Sequence, residues 1–346
     1  MSSRYDLRQL GWQPFFQQQL SLQEWQHCIP ARVFEVHRNR LLLIGEQGDI
    51  DLPLQPAMTD ICCGDWLLLS PEKQWLRSLT AITSFSRKAA GSQVASQQIA
   101  VNLDTVFIVC GLNNNFNLSR IERYLTLVHQ AGVEAVVVLT KADLCAQTDR
   151  FQQQVQQLDA LLPVLAVNAL DAEVTTTLAP WLLPGKTIGL LGSSGVGKST
   201  LVNSLSLSAE QPTAAARQQD DRGRHTTTGR SLHFLPGGAL LMDTPGMREL
   251  QLADCEQGVG KTFADIEALA QHCRFSDCRH QGEPGCAVND ALNAGTLESR
   301  RWESYFKILQ EQALNAETLA QKRARQRGIG RYHHQVLKEA QARKNR

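Results

Sequence analysis

Between Thr187 and Thr200 the chain reads Thr-Ile-Gly-Leu-Leu-Gly-Ser-Ser-Gly-Val-Gly-Lys-Ser-Thr, an apolar strand that breaks into a glycine-rich loop closing on Lys-Ser. Gly192, Gly197, Lys198 and Ser199 fit the spacing G-x-x-x-x-G-K-[ST], in which backbone N–H groups, free of crowding side chains, turn towards phosphates. The helix that follows such a loop aims its N-terminus at the same anion. Gly192, Ser193, Ser194, Gly195, Val196, Gly197, Lys198, Ser199 and Thr200 are therefore the expected phosphate cradle.

A chain of 346 residues with 42% hydrophobic residues is long enough for several cores. Its net charge of +1 conceals a segregation. Residues 321–346 hold nine Lys and Arg against one acid, a net +8, so the remainder sums to −7. A basic tail of this kind suits a polyanionic partner such as nucleic acid, or is simply a solvated helix face. The first residues carry Arg4, Asp6 and Arg8, and no apolar run approaches the length of a membrane span, so a soluble, intracellular protein is expected. Nine cysteines, an odd number scattered along the chain, argue against a disulfide framework.

Residues 1–30 are rich in Gln and aromatics and read either as a short helical extension or as a partly disordered arm. From 31 to 84 short β-like runs (Val33–Val36, Leu41–Ile44, Trp66–Leu69) alternate with Gly and Pro, the texture of a small all-β barrel. An OB-type barrel, a common platform for oligonucleotides, fits this pattern; so do an SH3-like barrel and a structural cap. Residues 85–100 are small and polar, as in a linker. Near-continuous apolar runs follow at Thr105–Cys110, Val133–Leu139, Val164–Val167 and Thr187–Leu191, separated by helical spacing at Arg120–Gln130 and Phe151–Leu161. That alternation predicts a doubly wound α/β domain with its ligand loops at the carboxyl ends of the strands, after Leu139, Val167, Leu191 and Met242.

Each of those four positions carries a signal. Thr140-Lys141-Ala142-Asp143 places a carboxylate where it can accept from N1 and N2 of guanine, a pair that adenine lacks. As a sequence it is also an ordinary helix N-cap. Asn168-Ala169 can offer a backbone N–H to the guanine O6. Asp243-Thr244-Pro245-Gly246 has the form of a switch II segment, with Asp243 reaching Mg²⁺ through water and the Gly246 amide meeting the γ-phosphate. Between it and the phosphate loop, Arg222–Thr228 suits a mobile switch I whose Thr227, or its neighbour Thr226, completes the Mg²⁺ shell. Lys198 would neutralise β- and γ-phosphate oxygens and Ser199 would bind Mg²⁺ directly. Met247 stands where many GTPases place a water-orienting Gln, which predicts slow intrinsic turnover. His225 is the first candidate for the missing polar group, followed by Arg224 or a group from a partner.

Further on, Cys273, Cys278, His280 and Cys286 fall within 14 residues, the Cys3His set of a structural zinc site, with Gly282, Pro284 and Gly285 supplying turns. Residues 298–320 have helical spacing. The basic tail, broken by Gly328 and Gly330, is placed to track an RNA backbone through phosphate contacts.

The order of guanine elements, phosphate loop, switch I and switch II is the usual GTPase order cut and rejoined. On these motifs the chain resembles the circularly permuted GTPases that help mature the small ribosomal subunit, the RsgA (YjeQ) family, over nearly its whole length. Thr140 replaces the Asn of that Asn-Lys-x-Asp element, so Asp143 must carry more of the discrimination. The resemblance implies an N-terminal OB domain, a permuted G domain and a zinc-bearing C-terminal domain. It also implies GTP hydrolysis to GDP and phosphate during late 30S maturation, slow alone and stimulated by the small subunit.

The expected architecture is thus an α/β, circularly permuted P-loop GTPase domain (101–254) flanked by an OB-type barrel (31–84) and a zinc-binding helical domain with a basic tail (255–346). Expected ligands are GTP or GDP with Mg²⁺ and one structural Zn²⁺. Expected partners are the small subunit and its rRNA, for a cytoplasmic monomer with no membrane association. Two other readings stay open: a zinc-containing RNA-binding module whose nucleotide only switches conformation, and an ATP-dependent P-loop enzyme.

Overall fold

The structure, a computed structural model, describes residues 4–58, 60–88, 96–207, 230–243 and 255–313. Its strands form where the sequence offers continuous apolar runs. β8 (Thr105–Gly111) is buried at all seven positions and β9 (Glu134–Thr140) at all but Glu134, as strands covered on both faces must be. β10 (Val164–Val167), β9, β8, β11 (Thr187–Leu191) and β13 (Leu240–Asp243) lie side by side in that order and all run parallel.

Helices α3 (Leu118–Ala131), α4 (Thr148–Gln156), α5 (Glu173–Leu178) and α6 (Lys198–Leu207) connect the strands. α3 starts where the Asn117 side chain accepts from the Arg120 amide, stops at a left-handed Gly132, and buries Ile121, Leu125 and Val128 at helical spacing. On one face of the sheet Phe107, Val136, Val138 and Ile188 pack with Leu201, Leu205 and Val174 from the helices. From β8 the chain moves to one side for β9 and β10, then crosses to the other for β11 and β13. The winding therefore reverses between β8 and β11, the position at which open α/β sheets form their ligand crevice.

The N-terminal β region has five strands: β1 (Ile29–Val36), β2 (Arg40–Gly45), β3 (Gly48–Pro53), β4 (Trp66–Leu69) and β5 (Trp75–Ser78). All of its pairings are antiparallel, and Val33, Leu41, Leu43, Ile50, Leu52, Leu67 and Leu69 fill its core. β1 is irregular between Val33 and Glu35. Its first residues pair with β4, while Glu35 and Val36 pair with Ser231 and Arg230 of β12 (Arg230–Phe234), which in turn pairs with β13. One hydrogen-bonded sheet thus runs from the β region into the α/β domain.

Ahead of it, a 3-10 turn (Leu7–Leu10) and the short helices α1 (Pro14–Gln17) and α2 (Leu22–His27) take the helical option of the two open for this segment. Trp12 and Phe16 pack on Trp66 at centroid distances of 4.8 and 5.8 Å. Arg32, only 1% exposed, ties these pieces together. Its guanidinium donates to Leu10 O (2.7 Å), Thr187 Oγ1 (2.9 Å), Asn102 O (3.0 Å) and Gly64 O (3.3 Å). Thr187 opens the strand that carries the phosphate loop.

The stretch read as a linker has ordered strands at both ends, β6 (Ser84–Lys88) and β7 (Ser96–Val101), paired as a separate two-stranded ribbon. Phe85 and Ile99 are buried there. With the equally buried Ala100 and Val101 of β7, they fix strands whose other residues, rich in Ser and Gln, give little sign of them.

The described residues up to Ala264 lie almost entirely in one compact unit, and those from Asp265 onward belong to a second. In the first, α7 (Glu256–Thr262) packs on α3 so closely that a Cβ at Gly258 would sit 2.1 Å from Thr126 O. The second holds α8, which begins at the unit boundary (Ala264–Ala270), α9 (Ala287–Asn293) and a helix covering 299–313. Arg301 makes a bidentate pair with Asp265 at 2.7 Å for each bond, and the Tyr305 hydroxyl donates to Glu267 (2.9 Å).

Candidate nucleotide site and metal centre

Parallel strands put their carboxyl ends on one edge. Val167 pairs with Thr140, Thr140 with Gly111, and Met242 with Gly189 just before the loop at Gly192, so the signals that follow these strands share that edge. The loop's conformation depends on glycine. Gly192 has φ +152°, and a Cβ there would lie 2.4 Å from Val109 O, a contact no side chain tolerates. Lys198 curls over the loop and donates to Gly192 O (2.7 Å) and Ser193 O (2.6 Å), with Ser199 exposed beside it. Ser194 and Gly195 are exposed at the loop tip, while Val196 packs into the core.

Thr140 and Lys141 are brought to this loop. The Thr140 hydroxyl is fully buried and donates to Val196 O, which braces the loop from beneath. Lys141 adopts a left-handed backbone (φ 62°) and reaches over to Gly195 O at 3.0 Å. Asp143 sits in the 3-10 turn Ala142–Leu144, exposed and with no partner among the described residues. Asn168 turns the next loop by accepting from the Leu170 amide (3.0 Å), and Ala169 O takes the Ser204 hydroxyl (2.6 Å), which ties that loop to α6. Asp243 is exposed at the end of β13. Arg224, His225, Thr226, Thr227, Gly246 and Met247 lie outside the described residues.

One loop on this edge escaped the sequence reading, the connection after β8. Asn115 O and Ser193 Oγ both accept from Arg120 Nη1, at 3.4 and 3.0 Å, and Asn113 Oδ1 holds the Asn115 amide at 3.0 Å. The rule used for the other four strand ends applies here too. The run Asn113-Asn114-Asn115 directly after a buried strand was the available signal.

In the second unit the sequence-predicted ligands converge. The ligand atoms of Cys273, Cys278, His280 and Cys286 all lie within 4.8 Å of one another. His280 Nδ1 is 3.5, 3.6 and 3.3 Å from the sulfurs of Cys273, Cys278 and Cys286, and the Cys273 and Cys286 sulfurs are 4.0 Å apart. A tetrahedral zinc with ordinary Zn–S and Zn–N bonds requires N···S and S···S separations of about 3.5 and 3.8 Å, so the four residues fit that ion. The Asn289 amide donates to the Cys286 sulfur (3.4 Å), and Glu283 accepts from the Arg279 and Gln281 amides, which stiffens the loop between ligands.

A phosphate loop after a central parallel strand, with the Thr140–Asp143 segment earlier in the chain and the strand ending at Asp243 later, is the arrangement of a circularly permuted P-loop GTPase. A protein-family model described as RsgA GTPase matches residues 81–253. Small ribosomal subunit biogenesis GTPase RsgA 2 of Vibrio parahaemolyticus is 54% identical over 343 residues, 99% of this chain and 96% of the relative. Small ribosomal subunit biogenesis GTPase RsgA of Mesorhizobium japonicum is 42% identical, over 95% of this chain and 96% of its own length. The chain belongs to the RsgA GTPase family. The fold also matches solved structures. YjeQ from Thermotoga maritima superposes with a TM-score of 0.62 at 24% identity, covering 82% of this chain and 98% of that one. YloQ, described as a circularly permuted GTPase, gives 0.55 at 20% identity, covering 86% and 96%. Among the described residues no helix is long and apolar enough to cross a membrane.

Proposed function

We propose that this protein is a GTP hydrolase of small ribosomal subunit biogenesis, cleaving GTP to GDP and phosphate in late 30S maturation, slowly alone and faster on the subunit. The observation that carries the reading is the single sheet edge bearing the phosphate loop, Lys141, Asp143, Asn168-Ala169 and Asp243, in a chain whose relatives bear that name.

Phosphoryl transfer needs positioning and charge rather than covalent help from the protein. Lys198 and the loop amides from Gly192 to Thr200 hold the phosphates, and Asp143 selects guanine with Lys141 and Ala169 alongside. Ser199 and Thr227, or its neighbour Thr226, would supply hard oxygen ligands that suit Mg²⁺ and Asp243 would reach it through water; when bound, the ion would neutralise β- and γ-phosphate charge. The Gly246 amide meets the γ-phosphate, and His225 orients the attacking water, the task Met247 has no group to perform.

Cys273, Cys278, His280 and Cys286 hold one structural Zn²⁺, with no open position for catalysis. The basic tail and the OB-type β region face rRNA, and the protein works in the cytoplasm as a monomer without a membrane. Domain limits near 30, 84, 100 and 254 go with this reading.

GTP turnover measured with and without purified 30S particles tests it. Stimulation by the subunit is expected. Bound GTP that is not hydrolysed in either case would favour the RNA-binding switch module, the reading that Met247 supports.

A further inference from the structure

Three cations lean on the phosphate loop. Lys198 bonds Gly192 O and Ser193 O, Lys141 bonds Gly195 O, and Arg120 bonds the Ser193 hydroxyl. Lys198 belongs to the loop motif and Lys141 to the guanine element; Arg120 belongs to neither. It stands in the first turn of α3, fixed there by the Asn117 cap on its own amide. Arg120 has no carboxylate within ion-pair distance among the described residues. Both of its acceptors, Asn115 O and Ser193 Oγ, are neutral and both engage Nη1. Nε and Nη2, three of the five N–H donors of a guanidinium, have no acceptor among the described residues. A half-buried arginine held at an anion loop without a counter-ion is arranged for an anion that arrives later.

The loop's polarity says which phosphate. Its carboxyl limb, Gly197 to Ser199, runs into the N-terminus of α6, which faces the inner phosphates. Arg120 touches the other limb, at Ser193. That is also where the Lys198 ammonium lies, and the lysine of this motif reaches the β- and γ-phosphates.

We propose that Arg120 is a further catalytic residue of this site, a cation supplied within the chain that reads the terminal phosphate. Its guanidinium exchanges the Ser193 hydroxyl for γ-phosphate oxygens, because a charge-assisted bond to phosphate is about twice as strong as one to a neutral acceptor. It thereby favours triphosphate over diphosphate and stabilises charge as hydrolysis proceeds. The water oxygen forms the new P–O bond while the bond to the β–γ bridging oxygen breaks, its electron pair leaving with GDP and the water's proton passing to the released phosphate. Arg120 neither gives nor takes a proton. It supplies charge stabilisation, a contribution separate from the water orientation that Met247 cannot provide. The inference rests on the nucleotide-site reading above.

Affinities for GDP and for a non-hydrolysable GTP analogue, with single-turnover GTP cleavage on 30S particles, test it on the full chain. Arg120→Ala is expected to keep wild-type GDP affinity, to bind the analogue about tenfold more weakly, and to cleave about a hundredfold more slowly. Arg120→Lys, which keeps the charge and the helix, is expected to recover part of both losses. Equal loss of GDP and analogue binding would make Arg120 a brace of the loop and overturn the proposal, as would no change in either. A wild-type chain that binds neither nucleotide would instead refute the reading beneath it.

Discussion

Arg32 and Asp65 are buried in the same part of the β region without bonding to each other. Arg32 spends its donors on three carbonyls and the Thr187 hydroxyl, and Asp65 accepts from the Cys62 amide at 2.7 Å. Burial pushes the Asp65 carboxyl up to about 6, against the Cys62 bond and the Arg32 charge, and lowers the Arg32 guanidinium to about 10. A carboxyl whose pKa is raised on folding favours the folded state most at pH values below its unfolded pKa near 3.8, and that contribution is lost as pH rises through 6. Asp65→Asn keeps an acceptor for Cys62 and removes the buried charge. Chemical denaturation should therefore find it more stable than wild type at pH 8, by up to about 3 kcal/mol, with the difference vanishing near pH 4. At the nucleotide edge, exposed Asp143 is the residue proposed to read the base. Asp143→Asn should lose GTP affinity and gain xanthosine triphosphate, because the amide donates to the oxygen that replaces the guanine amino group. Competition binding with the two nucleotides checks this.

The elements divide by how much of their structure local sequence dictates. β8, β9, β10, β11 and β13 were legible because a strand buried on both faces must be an unbroken apolar run, and the loops at their ends could be named from strand polarity alone. Strands β6 and β7 were not legible, since Phe85 alone marks one and the short buried run Ile99-Ala100-Val101 ends the other, among small polar residues. The Asn113–Asn115 loop was missed although the same polarity applied, and with it Arg120, whose position in a helical repeat conceals its contact with Ser193. The Cys3His loop was fully legible because spacing within 14 residues already confines the ligands. The bonds of Arg301 with Asp265 and of Tyr305 with Glu267 were not, since each joins helices with more than 30 residues between the partners. Metal analysis should find one zinc per chain. Cys286→Ser, which removes one thiolate ligand while leaving an acceptor for the Asn289 amide, should abolish it and lower the thermal stability of the C-terminal unit. GDP affinity should be retained, because every nucleotide-facing residue described belongs to the other unit.

For the whole molecule, the order of motifs was the most informative property of the sequence, since it alone distinguishes a permuted GTPase from any other P-loop protein. What order does not disclose is how the parts are joined. Arg32 links residues 22, 32, 70 and 155 positions away, and no local pattern foretells that. The charge segregation belongs to this scale as well. With +8 in residues 321–346, removal of that segment should weaken binding to 30S particles and flatten its dependence on salt. The slope of log K against log salt should fall by about 0.7 to 0.9 for each phosphate that the tail no longer neutralises, which a filter-binding titration between low and physiological salt measures.

The pairing of Glu35 and Val36 with β12 has one more consequence. A chain shortened to begin at residue 98 would keep every nucleotide motif, yet β12 would be left with a bare row of N–H and C=O groups. Thr187, at the root of the phosphate loop, would lose its guanidinium donor. Bare strand borders recruit other strands. The shortened chain should therefore self-associate in proportion to its concentration, visible as light scattering where the full chain stays clear. The N-terminal β region is in this sense the stopper that keeps the nucleotide sheet from growing into its neighbours.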